Sequence, residues 1–214
     1  MFTSMALNGA GAKTIQHPTT ATNFGAAVDI TGISFASTTS SLTVGRSGVN
    51  PSAGVTLGNA NTSIAGNIMV FGSPITQNGA VSATSGGAVS YSCGSGSFGG
   101  NSSGVLNAQA SITIDCGTIA NPAAITSSAG DVLLQGDVMT LSTSANIAAP
   151  TGSVTITPRT LNRPINLGAQ DAAMLSLETG EINRISANVL RIGALNGNNT
   201  GNINITAALN PSLT

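Results

Sequence analysis

The fold is decided by one short phrase that recurs through the middle of the chain: GNIMVFG at 66–72, GAVSYSC at 87–93, ASITIDC at 110–116, GDVLLQG at 130–136 and GSVTITP at 152–158. Each copy alternates apolar and polar residues after a small or polar start, and a period of two is typical of a β-strand. The first apolar residues of the copies follow one another at intervals of 21, 23, 20 and 22 residues. A steady interval with a drifting sequence predicts stacked β-coils, because each coil buries its apolar edge only against its neighbours.

The same alignment predicts how far the stack extends. Leu175 follows the last copy after another 21 residues, and Leu190 and Ile203 come at shorter steps. We therefore expect an all-β chain: a right-handed parallel β-helix of about ten coils, with 20 to 23 residues per coil and shorter coils near the C-terminus. Residues 1–26 show little periodicity and are interpreted as an irregular leading segment or a partial coil, and residues 27–214 as the β-helix.

The composition argues against two classes of partner. Charged residues make up 6% of the chain, against about 25% in typical soluble domains. The six basic residues form no cluster that could neutralise a phosphate backbone, so we expect no nucleic-acid partner. The apolar runs are broken by Gly, Ser or Asn well short of the roughly 20 residues that a spanning helix needs, so we expect no membrane span in this segment.

Two cysteines occupy matching places in neighbouring copies of the phrase. Cys93 lies four residues after Val89 and Cys116 lies four residues after Ile112, so the alternation points both side chains inward. Neighbouring strands are about 4.8 Å apart, within the roughly 4.4 to 6.8 Å between Cα atoms that a disulfide tolerates. In-register parallel strands aim both Cβ atoms the same way, which favours a stack of two buried thiols. A disulfide and a buried thiol stack both stay open at this point, with a metal-binding pair as a third alternative.

The acidic residues are far apart in the predicted stack. Asp115 and Glu178 should occupy equivalent positions three coils apart, at about 14 Å, whereas a pair of catalytic carboxyl groups lies roughly 5 to 9.5 Å apart. Asp137 should face Arg159 one coil further on, as a surface ion pair worth at most about 1 kcal/mol. No acid–base pair follows from this register.

One group of charges is close in sequence. Glu178, Glu181 and Arg184 are the candidate polar cluster of a carbohydrate-active site, and the alternative is a solvated turn with a local ion pair. The only histidine, His17, lies in the irregular leading segment, so no serine or cysteine triad can be assembled around it. We therefore expect no catalytic residue, no cofactor site and no metal site, and predict that the chain is not an enzyme.

The last quarter of the chain resembles a known protein family. Residues 160–209 contain the phrases RPINLG, LSLETGEINRI, ISANVLRIG and GNINITAAL. Their order and kind are similar to those in the passenger region of filamentous-haemagglutinin-type exoproteins and related large β-strand-repeat adhesins of bacteria. The secretion module of that family carries NPNL-type and NPNGI-type motifs, which NPSAG, NPAAI and NPSLT of this chain do not match. The resemblance therefore implies an internal passenger segment.

The resemblance also implies a function and a location. It implies a structural or adhesive segment, an adhesin shaft that displays distal binding regions, in a protein that is extracellular or attached to the outer membrane through parts outside this chain. The implied partners are the rest of its own passenger chain and a host or cell-surface receptor or glycan. The alternative function is that of a β-helical protein that binds or degrades polysaccharide.

Overall fold

The computed structural model of the chain describes residues 5–17, 24–48, 53–58, 62–120, 123–193 and 201–209, and it is all-β apart from one helical turn. The strands are short and numerous, with two to twelve residues each. The strands are β1 Met5–Leu7, β2 Lys13–Ile15, β3 Val28–Asp29, β4 Ile33–Phe35, β5 Ser41–Val44, β6 Val55–Leu57, β7 Thr62–Ile64, β8 Asn67–Phe71, β9 Ile75–Gln77, β10 Val81–Ala83, β11 Val89–Gly100, β12 Leu106–Ala108, β13 Ile112–Ala120, β14 Ile125–Ser127, β15 Val132–Gln135, β16 Val138–Thr140, β17 Ile147–Thr157, β18 Ile165–Gly168, β19 Leu175–Glu178, β20 Ile185–Ile192 and β21 Ile203–Ile205, and the helix α1 is Thr179–Ile182.

Sixteen of these strands form one parallel sheet that is curled like a half-barrel. Its strands pair in three ladders. The first ladder is β2-β5-β8-β11-β13-β15-β17-β20, the second is β3-β6-β9-β11-β13-β16, and the third is β7-β10-β12-β14-β17-β20. Between β7 and β17 the chain visits the third, first and second ladders in the same order on every turn. This arrangement is consistent with a β-helix, in which each strand pairs with the strand one turn later.

The register of the first ladder confirms the central alignment made from the sequence. Ile68 pairs with Val89, Val89 with Ile112, Ile112 with Val132, and Val132 with Val154. From β5 to β17 the inward-facing apolar side chains of this ladder are at most 1% exposed and form two rows: Leu42, Ile68, Val89, Ile112, Val132 and Val154, and Val44, Val70, Tyr91, Ile114, Leu134 and Ile156. The core therefore runs along the axis of the stack, and every coil contributes to it.

The expected shorter coils near the C-terminus are wrong. Val154 pairs with Leu190 and not with Leu175, so the step there is longer than in the middle of the chain. Leu175 pairs instead with Ile165, which also pairs with Ile203, in a separate sheet of order β19-β18-β21. Because β19 lies beside β16, this sheet extends the second ladder. We call residues 158–184 the excursion. This segment adds two strands, β18 and β19, to the second ladder before the chain returns to the third ladder at β20.

The leading segment carries strands that belong to the stack. β2 pairs with β5 in the first ladder, and β1 pairs with β4 in a two-stranded sheet beside β7. The first ladder contains eight strands among the described residues, not the ten coils expected from length. The difference arises because the steps from Lys13 to Leu42 and from Leu42 to Ile68 are also longer than those in the middle.

Candidate functional site

The two cysteines are joined by a disulfide inside the stack. Their Cα atoms are 4.6 Å apart, and both residues are at most 1% exposed. The sequence placed Cys93 and Cys116 at equivalent positions, and this alignment is wrong by one residue. The register shifts after Ser92, so that Gly94, and not Cys93, is the strand partner of Cys116. Gly94 has a φ of 59°, a left-handed conformation that glycine adopts at little cost. The shift removes the constraint that both Cβ atoms point the same way, and the structure holds the disulfide alternative and not the thiol stack.

A buried polar group that the sequence analysis missed lies between the second and first ladders. Gln77 is fully buried, and its side-chain oxygen accepts a hydrogen bond of 3.0 Å from the Tyr91 hydroxyl. Its amide nitrogen donates to the carbonyl oxygens of Val105 (2.9 Å) and Gly79 (3.2 Å). Burial raises the pKa of Tyr91 well above its usual value, so the phenol keeps its proton. The only signal in the sequence was that Gln77 lies two residues after Ile75. Because alternate residues of a strand face the same side, this spacing places Gln77 on the inward face together with Ile75.

The structure brings Glu178, Glu181 and Arg184 together around α1. The buried carboxylate of Glu181 accepts hydrogen bonds from the backbone N–H groups of Leu141 (2.7 Å) and Glu178 (2.8 Å). It also accepts one from the side-chain amide of Gln170 (3.0 Å). The Arg184 guanidinium donates to the carbonyl oxygen of Leu141 (2.6 Å). Glu181 and Arg184 therefore hold both backbone groups of Leu141 and fasten α1 to the segment that follows β16.

Arg159 makes a different ion pair from the one expected. Its guanidinium lies 2.9 Å from the carboxylate of Asp115, not that of Asp137. Asp137 instead accepts hydrogen bonds from the backbone N–H groups of Arg159 (3.0 Å) and Thr160 (2.7 Å) and from the Thr160 hydroxyl (2.6 Å). The expected equivalence of Asp115 and Glu178 is also wrong, because Glu178 belongs to the separate three-stranded sheet. Asp137 thus fixes the start of the excursion.

Asp131, the residue before β15, is linked to Ser153 within β17, the next strand of the first ladder. Its carboxylate accepts hydrogen bonds from the backbone N–H (2.7 Å) and the hydroxyl (2.9 Å) of Ser153. The hydrogen bond from the Ser153 backbone, and after it the one from the Ser153 hydroxyl, hold the pKa of Asp131 below its usual range. The positive charge of Arg191 lowers this pKa further. Because the carboxylate is ionised and already accepts two hydrogen bonds, it has no proton to supply as a general acid.

Two shallow depressions lie on the outer faces of the ladders. The first, of about 390 Å³, crosses β10, β12 and β14 of the third ladder and has as its polar lining Ser82, Thr84, Asn107, Gln109, Thr126 and Ser128. The second, of about 440 Å³, lies over Gly99 and Gly100 of the second ladder, between Thr76 and Ala120. Neither lining contains a charged side chain. The depressions therefore offer hydroxyl, amide and backbone contacts, and no acid, base or metal ligand of the carboxylate kind.

The described residues contain no group of three or more His, Cys, Asp or Glu side chains that could hold a metal ion. No helix in this part of the chain is long and apolar enough to cross a membrane. No protein-family model matches the chain, and neither a curated protein nor a solved structure matches it.

Proposed function

We propose that this chain is a structural segment of an exported bacterial surface protein, an adhesin shaft built as a right-handed parallel β-helix of the filamentous-haemagglutinin type. The observation that carries the proposal is the set of parallel ladders that the chain visits in a constant order. Each coil added to such a stack lengthens it by one strand spacing, about 4.8 Å. The eight strands of the first ladder therefore span about 34 Å along the axis. A shaft needs this conversion of chain length into distance.

The use of the charged residues supports a structural role over an enzymatic one. Glu181, Asp137 and Asp131 each accept at least two hydrogen bonds within the chain. Carboxylates committed in this way hold neighbouring backbone segments to the stack. We therefore propose that the segment has no catalytic activity of its own.

The disulfide supports a location outside the cytosol. Disulfides persist in oxidising compartments and are rare in the cytosol of mesophiles. The Cys93–Cys116 bridge is closed within the core, where neither sulfur can act as a redox catalyst without unfolding. An extracellular or cell-surface location, with attachment through parts of the protein outside this chain, fits that chemistry.

Labelling of native cells tests the shaft proposal. Antibodies raised against the folded chain should label intact, unpermeabilised cells. Deletion of residues 89–131 removes two whole coils and brings Val132 into the place of Val89, so the shortened protein should still fold and reach the surface. Deletion of residues 89–120 is the matched control, because it joins strands out of register. Labelling that appears only after permeabilisation would contradict the proposal.

The depression on the third ladder favours one second candidate, binding of a neutral polysaccharide. Ser82, Asn107 and Thr126 face outward from paired positions on successive strands, and they offer hydroxyl and amide groups without charge. Titration calorimetry with neutral oligosaccharides, using Asn107→Ala as the variant, tests this candidate.

A depolymerisation assay on acidic polysaccharides, with and without calcium, tests the proposed lack of catalysis. Release of oligosaccharides would contradict it.

A further inference from the structure

The chain contains four Asn-x-Ser/Thr triplets in which x is not proline. They begin at Asn61, Asn101, Asn198 and Asn204. Such a triplet accepts an N-linked sugar when it lies on an exposed turn, because the modifying enzyme must reach the asparagine amide. Asn61 and Asn198 lie outside the described residues, so the structure discriminates between the other two.

The triplet at Asn101 forms the tip of a turn between β11 and β12. Residues 101–103 are all exposed, and the backbone N–H of Gly104 donates to the carbonyl oxygen of Asn101 (3.0 Å). Gly104 is buried and packs so closely on the carbonyl oxygen of Gln77 that it leaves no room for a Cβ. Because β11 pairs with β9 on one side and β13 on the other, the turn projects from the middle of the stack. Its exposure therefore does not depend on where the chain begins or ends.

The turn holds the Asn101 side chain by its oxygen alone. The backbone N–H of Ser103 donates to Asn101 Oδ1 (2.9 Å), which fixes the amide group relative to the backbone. Within the described residues neither Asn101 Nδ2 nor the Ser103 hydroxyl makes a hydrogen bond. The nitrogen that would carry a sugar and the hydroxyl that defines the triplet are therefore both free to meet an enzyme.

The triplet at Asn204 lacks these properties. It begins inside β21, on extended backbone and not on a turn. Asn204 Nδ2 donates to the sulfur of Met174 (3.6 Å), and the Thr206 hydroxyl donates to Asn166 Oδ1 (3.1 Å). Both groups that a modifying enzyme needs are already engaged within the chain, so this triplet serves as an internal comparison.

The second depression gives a sugar on Asn101 a surface to lie on. Asn101 belongs to its lining together with Thr76 and Asn78, and Gly99 and Gly100 lie beside them. Because the two glycines have no side chains, a pyranose ring attached to Nδ2 can lie over the ladder without a clash. Its hydroxyl groups would meet the Thr76 hydroxyl and the Asn78 amide, both uncharged hydrogen-bonding groups.

We propose that Asn101 is an N-linked glycosylation site, modified by a glycosyltransferase of the cell that makes the protein. The co-substrate is a sugar activated as a diphosphate ester. Asn101 Nδ2 forms a bond to the anomeric carbon of the sugar, and the bond from that carbon to the diphosphate oxygen breaks. The diphosphate leaves with the electron pair, and the proton of the amide passes to a base of the transferase. This inference does not depend on the proposed shaft function.

Mass spectrometry of the protein purified from its native cells tests the site. The protein is digested with a protease of broad specificity, and fragmentation of each peptide locates the added mass. The peptide that contains Asn101 should carry at least one sugar on the asparagine, whereas the peptide that contains Asn204 should carry none. An unmodified Asn101, or a sugar bonded to the hydroxyl of Ser102 or Ser103, would overturn the proposal.

Variants of the triplet separate modification from folding. Ser103→Ala should abolish the sugar and leave the urea midpoint of the unmodified protein unchanged, because Ser103 holds the turn through its backbone alone. Ser103→Thr should keep the sugar, since threonine also completes the triplet. Ser102→Ala is the matched control, a neighbouring change on the same exposed tip that leaves the triplet intact. Persistence of the sugar in Ser103→Ala, or its equal loss in Ser102→Ala, would overturn the assignment.

Discussion

Replacing Leu134 by alanine should destabilise the stack far more than the same change at Leu133. Leu134 is fully buried in the first ladder, between Ile114 and Ile156 on the neighbouring strands. Leu133 lies on the outer face of the same strand and is only partly buried. The two changes are chemically identical and lie next to each other on the same strand, so their backbone context and their change in β-propensity are matched. The pair therefore isolates the effect of facing inward.

The magnitude follows from what the interior can do after truncation. A buried leucine that becomes alanine costs about 2 to 5 kcal/mol, and the cost is larger when the surroundings cannot collapse into the cavity. Ile114 and Ile156 lie on strands whose backbones are fixed by ladder hydrogen bonds on both sides of β15. We therefore expect a loss of at least about 3 kcal/mol for Leu134→Ala and less than about 1 kcal/mol for Leu133→Ala.

Equilibrium unfolding in urea, followed by far-UV circular dichroism, gives both free energies of unfolding. The slopes of the two transitions should agree, so that the comparison rests on the midpoints. If Leu133→Ala is the more damaging change, the strand is slipped by one residue and every side chain of the ladder faces the opposite way.

Three further perturbations test the polar and covalent contacts. Cys93 and Cys116 should not react with an alkylating reagent in the native protein, and labelling of either one would contradict the bridge. Reduction should lower the free energy of unfolding by about 3 kcal/mol, because it removes the loop-closure constraint across a separation of 23 residues. The pKa of Asp131 is held below its ordinary value of 3.8, so its stabilising contribution is complete above that pH and is lost as the pH falls through the lowered pKa. The urea midpoints of Asp131→Asn and the parent should converge over that acid range, and a constant difference would refute the assignment. Glu181→Gln replaces an accepting oxygen with a donor and should lower the free energy of unfolding by about 1 to 3 kcal/mol. Glu178→Gln changes an exposed side chain and should lower it by less than about 0.5 kcal/mol. Equal losses in urea unfolding would contradict the assignment of Glu181 as a buried acceptor that holds α1.

The first ladder could be predicted from the sequence because its signal is strong. Between Ile68 and Val154 each strand has at least two inward apolar residues at alternate positions, and the intervals between strands are nearly constant. The second and third ladders escaped notice because most of their strands have three residues, such as ITQ and VSA, too short for alternation to stand out.

The errors near the C-terminus have a different cause. Alternation identifies a strand but not its partner, so Leu175 could be aligned with Val154 although it pairs with Ile165. The partner is decided by the excursion, which is held in place by contacts between residues distant in sequence. Arg163 shows this, because its side chain donates to the carbonyl oxygens of Asp137 (2.9 Å) and Ala172 (3.1 Å). No pattern in a single sequence encodes such contacts.

Scalar couplings across hydrogen bonds, measured by NMR on the labelled protein, test the stacked ladder most directly. In the structure the amide nitrogen of Ile112 lies 2.9 Å from the carbonyl oxygen of Asp131, and that of Val89 lies 3.0 Å from the oxygen of Ser111. We predict a coupling from each of these nitrogens to the carbonyl carbon of its partner in the next coil. Couplings to residues one or two positions away, or to strands running in the opposite direction, would contradict the parallel in-register stack on which the shaft proposal depends.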